Sequence, residues 1–202
     1  PPFLDPAPYA PKPGARAAIA AAHTMPDSQP WLLAVGMMRP GDKLASYRQL
    51  AEALQCLTAH PWRLLVAGDG PAAAEVRAAF APLATRVTWL GALDEVALAR
   101  VYQAADILVW PAVREAFGMA LLEAQAAGLP VVAGRTDGVP AVVADGETGL
   151  LPPPGDIAAF AAAVTNLLNN PGQREAMGQA ARARVLLYHS IDAAATQLDR
   201  IL

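Results

Sequence analysis

The stretch that decides the fold is "DILVWPAVREAFGMALLEAQAAGLPVVAG", residues 106–134. "DILVWP" (106–111) and "LPVVAG" (129–134) are continuous apolar runs, the pattern of strands buried on both faces. Between them, Met119, Ala120, Leu121, Leu122, Ala124, Ala126 and Ala127 read as a helix. Glu123 is the odd residue in that helix. Taking an ionised carboxylate out of water costs roughly several kcal/mol unless hydrogen bonds or a cation replace its hydration. Either Glu123 lies on a wet face or some group comes to meet it.

The same alternation extends outward on both sides. "WLLAVGM" (31–37) leads into a helix near 43–58, and "RLLVAG" (63–68) into one from about Pro71. "RVTWLG" (86–91) precedes "LDEVALARVYQAA", with Asp94 as its N-cap, and "TGLLPP" (148–153) is the last strand. Strands of this kind separated by helices predict an α/β fold, a Rossmann-like, doubly wound parallel sheet. Extra C-terminal helices follow at 156–169, 171–187 and 190–202, the last capped by Ser190. Ligands of such sheets bind at the carboxyl ends of the strands, near the point where strand order reverses. The segments to watch are therefore "GMMRPGDK" (36–43), "GDGP" (68–71), "GAL" (91–93) and "PAVREAFGM" (111–119).

The chain has 202 residues, 54% hydrophobic and 16% charged, enough to bury a full core. Residues 1–30 are crowded with prolines and show no strand pattern; they are expected to be an interdomain linker leading into a domain at 31–202. A net charge of −3 argues against a nucleic-acid partner, so any phosphate site must be local. The single cysteine, Cys56, excludes a disulfide framework and falls in an apolar helical pattern, where a buried residue is expected. No apolar run reaches the ~20 residues that span a bilayer, and no basic start precedes an apolar run at the amino terminus. A cytoplasmic domain is expected, with any peripheral contact at the inner face of a membrane made through parts absent from the chain.

The chemistry suggested by 111–123 is anion binding. Free amides in a helix's first turn and the positive end of its dipole favour a phosphate, and Gly118 permits close approach of the backbone. A helical side chain leans toward the amino terminus, so Glu123 can reach past that phosphate toward a sugar hydroxyl. Lys43 is one of only two lysines, the other being Lys12. It reads either as a point charge for a phosphate or as an ordinary exposed lysine, and Arg39 on the same loop offers forked donors to a second phosphate.

The glutamates at 115 and 123, with Phe117-Gly118 between them and "EAQAAGLPVVA" behind, resemble the donor-site motif of retaining GT-B glycosyltransferases, glycosyltransferase family 4. The likeness runs from about Trp31 to the end and is similar to that family's carboxy-terminal domain, one half of a GT-B fold. It implies transfer of a hexose from a nucleotide-diphosphate sugar to an acceptor hydroxyl, with an acceptor-binding amino-terminal domain missing from this chain and the fragment inactive alone. By this resemblance Glu115 would bond donor-sugar hydroxyls, and the backbone of Phe117, Gly118 and Met119 would hold the diphosphate beside Gly36. Glu123 would take the ribose hydroxyls, Arg39 and Lys43 would neutralise the leaving diphosphate, and backbone near Gly91 and Leu93 would face the base. The family's arginine after the first strand's glycine is replaced here by Met37, so its role passes to Arg39. A glycine pair common in the family is Asp137-Gly138 here, and Ala141 stands where a glutamate is frequent. No cofactor and no metal are expected, protein cations taking the metal's role.

The remaining polar residues suggest structural roles. Asp69 reads as a turn residue rather than a ribose-binding acid, because "GMMRPG" lacks the glycine fingerprint of a dinucleotide fold. His23, His60 and His189 show no metal-ligand spacing and read as surface or turn residues. Trp31, Trp62, Trp89 and Trp110 lie in or beside strands and read as core. The rivals are a non-catalytic nucleotide-binding module, an NAD-dependent enzyme, which would need the missing fingerprint, and a sugar phosphorylase, which would need a sheltered lysine for pyridoxal phosphate.

Overall fold

The computed structural model describes residues 2–199. Its strands are β1 (Trp31–Val35), β2 (Arg63–Ala67), β3 (Val87–Gly91), β4 (Ile107–Trp110), β5 (Val131–Ala133) and β6 (Gly149–Leu150). Its helices are α1 (Ala15–His23), α2 (Asp42–Gln55), α3 (Ala73–Ala79), α4 (Glu95–Ala104), α5 (Met119–Ala126), α6 (Val139–Val142), α7 (Ile157–Asn169), α8 (Pro171–Tyr188) and α9 (Ile191–Asp199). The strands form one parallel sheet in the order β3-β2-β1-β4-β5-β6, as expected of a doubly wound fold. Order reverses between β1 and β4, where Leu32 pairs with Ile107.

The continuous apolar runs are explained by two-sided cover. α2, α3 and α7 pack together on one face, and α1, α4, α5 and α8 on the other. All four residues of β4 and all three of β5 are buried, whereas edge strand β3 is half-exposed. Trp89 on that edge is covered by Phe80, edge-on at 5.8 Å, and by the Arg77 guanidinium at 4.7 Å; the other three tryptophans are buried. The expected caps are present: Asp94 accepts from the Ala97 amide at 2.8 Å and Ser190 from Ala193 at 3.1 Å. The helix expected over 190–202 is seen to Asp199, and its last three residues lie outside the described ones. Among the described residues no helix is long and apolar enough to cross a membrane.

Three expectations need correction. The proline-crowded start is not free of structure: a 3-10 turn at Ala7–Tyr9 and α1 pack on the domain. Arg16 holds this segment down, bonding Asp106 at 2.8 Å, pairing with Asp27 and lying 4.1 Å over the Trp31 ring. Cys56 is exposed, because it caps the carboxyl end of α2, off the buried stripe of Tyr47, Leu50, Ala51 and Leu54. His189 sits at the expected helix junction but is buried, with Nδ1 donating to the Pro2 carbonyl at 2.9 Å.

Candidate functional site

The site forms where the sheet order reverses. β1 ends at Val35 and hands over to Gly36, which fits beneath Trp110, the last residue of β4; a Cβ on Gly36 would come within 3.1 Å of the indole. The Tyr47 hydroxyl donates to the Gly36 carbonyl at 2.6 Å, and its ring stands edge-on to Trp110 at 5.0 Å. Burial raises the Tyr47 pKa far above the ordinary phenol range, so the hydroxyl stays a donor.

The loop from β4 to α5 carries unusual backbone. Ala112 and Arg114 adopt positive φ, +58° and +48°, which L residues avoid. Tertiary bonds hold the loop in that shape. The Ala112 carbonyl accepts from Thr136 Oγ1 at 2.5 Å, and the Val113 amide donates to Ser46 Oγ at 3.0 Å. Opposite, Gly138 lies so close that a Cβ there would sit 1.8 Å from the Ala116 carbonyl oxygen. The loop ends at Gly118, φ +69°, which opens α5. Among the described residues the amides of Gly118, Met119 and Ala120 donate to no protein acceptor.

These elements enclose a cleft of about 470 Å³ walled by Gly36, Lys43, Trp110, Glu115, Gly118 and Glu123. Arg39, Phe117 and Met119 also border it, Phe117 and Met119 as exposed apolar side chains on its rim. Glu115 is half-buried. Its Oε2 accepts from Lys43 Nζ at 2.5 Å and from Trp110 Nε1 at 3.1 Å, while Oε1 has no protein donor among the described residues. Glu123 Oε2 accepts from the Tyr102 hydroxyl at 2.8 Å, and its Oε1 is likewise left open. Burial raises the Glu123 pKa above the ordinary carboxylate range; the Tyr102 bond opposes that shift and the charge of Glu95 adds to it. Tyr102 is fully buried, and desolvation with the adjacent Glu123 charge keeps it protonated.

The structure therefore brings together Gly36, Arg39, Lys43, Glu115, Phe117, Gly118, Met119 and Glu123. Gly91 and Leu93 are not in that wall. Gly91 ends β3 and accepts from the Gly68 amide at 2.8 Å, with β2 between it and β1, and Leu93 packs partly buried against the core. Asp69 lies in a turn, as expected: its Oδ1 accepts from Gly70 and its carbonyl from Met38. Sequence reasoning missed Tyr102, and it gave Trp110 a packing role without its bond to Glu115. No spacing links either residue to the glutamates, and only the search for a buried donor opposite each carboxylate would have raised them.

The family model for glycosyl transferases group 1 matches residues 29–170, most of the chain. The chain belongs to that family. Within this group 1 assignment, a D-inositol 3-phosphate glycosyltransferase of Corynebacterium aurimucosum is 45% identical over 104 residues, 52% of this chain and 24% of that protein. The sulfoquinovosyl transferase SQD2 of Arabidopsis thaliana is 34% identical over 129 residues, 62% of this chain and 25% of that protein. These matches span about a quarter of each relative's length. Among solved structures, a sucrose-phosphate synthase from Thermosynechococcus elongatus superposes with TM-score 0.86 at 30% identity, over 100% of this chain and 50% of that one. The C-terminal domain of a group 1 family protein, LpcC, from Francisella tularensis shares the fold at TM-score 0.75 and 20% identity, covering 93% of this chain and 99% of that domain. The chain is thus a Rossmann-like half of the GT-B architecture.

Proposed function

We propose that this group 1 glycosyltransferase domain binds the nucleotide-diphosphate sugar donor, and that in the full-length protein it supports retaining transfer of a hexose, as in glycosyltransferase family 4. The observation that carries the reading is the arrangement around the start of α5. The amides of Gly118, Met119 and Ala120, without a protein acceptor among the described residues, belong to residues that line a cleft together with Lys43 and Arg39, and Glu115 and Glu123, each with Oε1 open, line the same cleft. A diphosphate suits the amides and cations. Glu123 receives the ribose hydroxyls and Glu115 those of the sugar, while the base extends along the strand ends toward Gly91 and Leu93.

In the reaction the bond from the anomeric carbon to the diphosphate breaks, an acceptor hydroxyl bonds to that carbon from the same face, and its proton is released. Lys43, Arg39 and the helix end meet the charge that grows on the departing phosphate, and such aimed groups contribute on the order of several kcal/mol. We assign this role to protein cations, with no resident cofactor or metal. Most of the acceptor site is assigned to an amino-terminal domain beyond this chain, so the chain alone binds donor without turnover. Support for the ligand class comes from the fold neighbour HepE of Anabaena, whose structures hold UDP and UDP-glucose.

A thermal-shift panel of UDP-, GDP- and ADP-sugars with NADH tests the reading. A nucleotide sugar at 100 times its dissociation constant stabilises by about 2.7 kcal/mol. Stabilisation by NADH alone, or by no nucleotide, refutes it.

A further inference from the structure

On the far side of the Lys43–Glu115 pair lies a second basin of about 330 Å³, between the start of α2 and the β4–α5 loop. Its charged walls are Arg39, Asp42, Lys43, Arg114 and Glu115. Lys43 and Glu115 satisfy one another, and the Trp110 indole adds a second donor to the same Glu115 oxygen. Glu115 is therefore not free to neutralise an arginine. Arg39 and Arg114 are both exposed, and among the described residues neither guanidinium pairs with an acid or donates to a protein acceptor. Asp42 lies in the first turn of α2, where the helix dipole already favours a carboxylate. With Arg39, Lys43 and Arg114 set against Asp42 and Glu115, the basin carries a net charge of +1 in a chain whose net charge is −3, and Arg114 is the cation that the donor reading leaves unassigned.

The backbone adds an independent observation. Arg114 holds φ +48° in a loop pinned through Ala112 and Val113, although glycine or asparagine suits that conformation better. The chain keeps an arginine at a strained position and turns it into the basin. Strain that surrounding structure enforces is a mark of functional loops.

We propose that this basin binds an anionic group, a phosphate, carboxylate or sulfonate, carried by one of the two reactants next to the sugar held by Glu115, with Arg114 as the specificity-determining residue. The inference rests on the donor reading above. Forked guanidinium donors match the paired oxygens of such groups, and the volume suits one sugar-sized unit.

Two ligand pairs locate the source by calorimetry: UDP-glucuronate against UDP-glucose, and glucose 6-phosphate against glucose on the chain saturated with UDP. UDP alone is the control. On the wild-type chain the anionic member of one pair binds at least about tenfold more tightly than the neutral member, a difference of about 1.4 kcal/mol. Preference in the first pair places the charge on the donor, and in the second on the acceptor. Arg114→Ala and Arg114→Gly abolish the preference, Arg114→Lys keeps part of it, and all bind UDP as the wild type does. Arg114→Gly relieves the positive φ, so a loss there is not a result of strain. A preference that survives Arg114→Ala, or no preference in either pair while UDP binds, overturns the inference. Failure of UDP, GDP and ADP alike to bind the wild type overturns the donor reading itself, and with it this assignment.

Discussion

Removing the Tyr102 hydroxyl isolates one donor to the carboxylate assigned to ribose. Tyr102 is fully buried and packs edge-on to Tyr9 at 5.8 Å, so Tyr102→Phe keeps the ring and loses only the bond to Glu123. A hydrogen bond to a charged group contributes roughly 1.5–3 kcal/mol, and partial exposure of Glu123 puts this one at the lower end. That bond favours the ionised form, so its loss raises the Glu123 pKa further. Ribose hydroxyls donate, and the carboxylate is the better acceptor. Binding is therefore full above the Glu123 pKa of the free site and weakens as pH falls through it. In Tyr102→Phe that fall begins at higher pH, so calorimetric titration with nucleoside diphosphate from about pH 5 to about pH 9 should show nearly equal affinities at the alkaline end and a gap that widens toward the acidic end, to at most about tenfold, the equivalent of the roughly 1.5 kcal/mol bond. A deficit constant across pH, or superimposed profiles, refutes the idea that Tyr102 acts through the ionisation of Glu123.

The raised Glu123 pKa also has a stability consequence: the native state holds this proton more firmly than the unfolded chain, so stability is lost as pH rises from the ordinary 4.5 through the raised value. Glu123→Gln should flatten that part of the Tm–pH curve and melt higher than wild type at neutral pH while binding nucleotide less well; parallel curves would contradict the shift. Glu115→Ala should weaken nucleotide sugar by about tenfold yet bind bare diphosphate at least as tightly, since Lys43 is released from its ion pair; equal losses for both ligands would place Glu115 away from the sugar. Lys43→Ala should weaken nucleoside diphosphate far more than nucleoside, and a uniform loss would remove Lys43 from the phosphate. Ser46→Ala strands the buried-loop amide of Val113 and should cost about 1–3 kcal/mol of stability, read from chemical denaturation.

The sheet was legible because strands buried on both faces must be apolar throughout, and the runs at 31–35, 64–67, 107–110 and 131–133 are. Helix starts were legible where a side chain does the capping, at Asp94 and Ser190. α1 was not, since prolines crowd on both sides of it and its place is set by Arg16 reaching Asp106, 90 residues away. The same limit applied at the site. The glutamates announced themselves as charges in apolar surroundings, but Tyr102 and Trp110 look like any other buried aromatics until the fold sets their polar tips against those charges. The left-handed conformations of Ala112 and Arg114 were illegible for a related reason: no glycine marks them, and bonds from Thr136 and Ser46 impose them.

The partners of the two glutamates bear on which ligand the cleft prefers. Each carboxylate holds a protein donor on Oε2 and presents Oε1 to the cleft, so neither charge is stranded before a ligand arrives. Burying an unpaired carboxylate would cost several times the net value of an ordinary hydrogen bond, on the order of several kcal/mol against about one. A bare phosphate recruits Lys43 only in competition with Glu115. In the proposed assignment a nucleotide sugar offers replacement on both sides, its diphosphate to Lys43 and its sugar hydroxyls to Glu115, and so would meet the competition that a bare diphosphate leaves uncompensated. On the proposed assignment the Lys43–Glu115 pair would couple recognition of the phosphate to recognition of the sugar, and a selectivity for intact donor over its nucleotide product would follow from that coupling rather than from either contact alone.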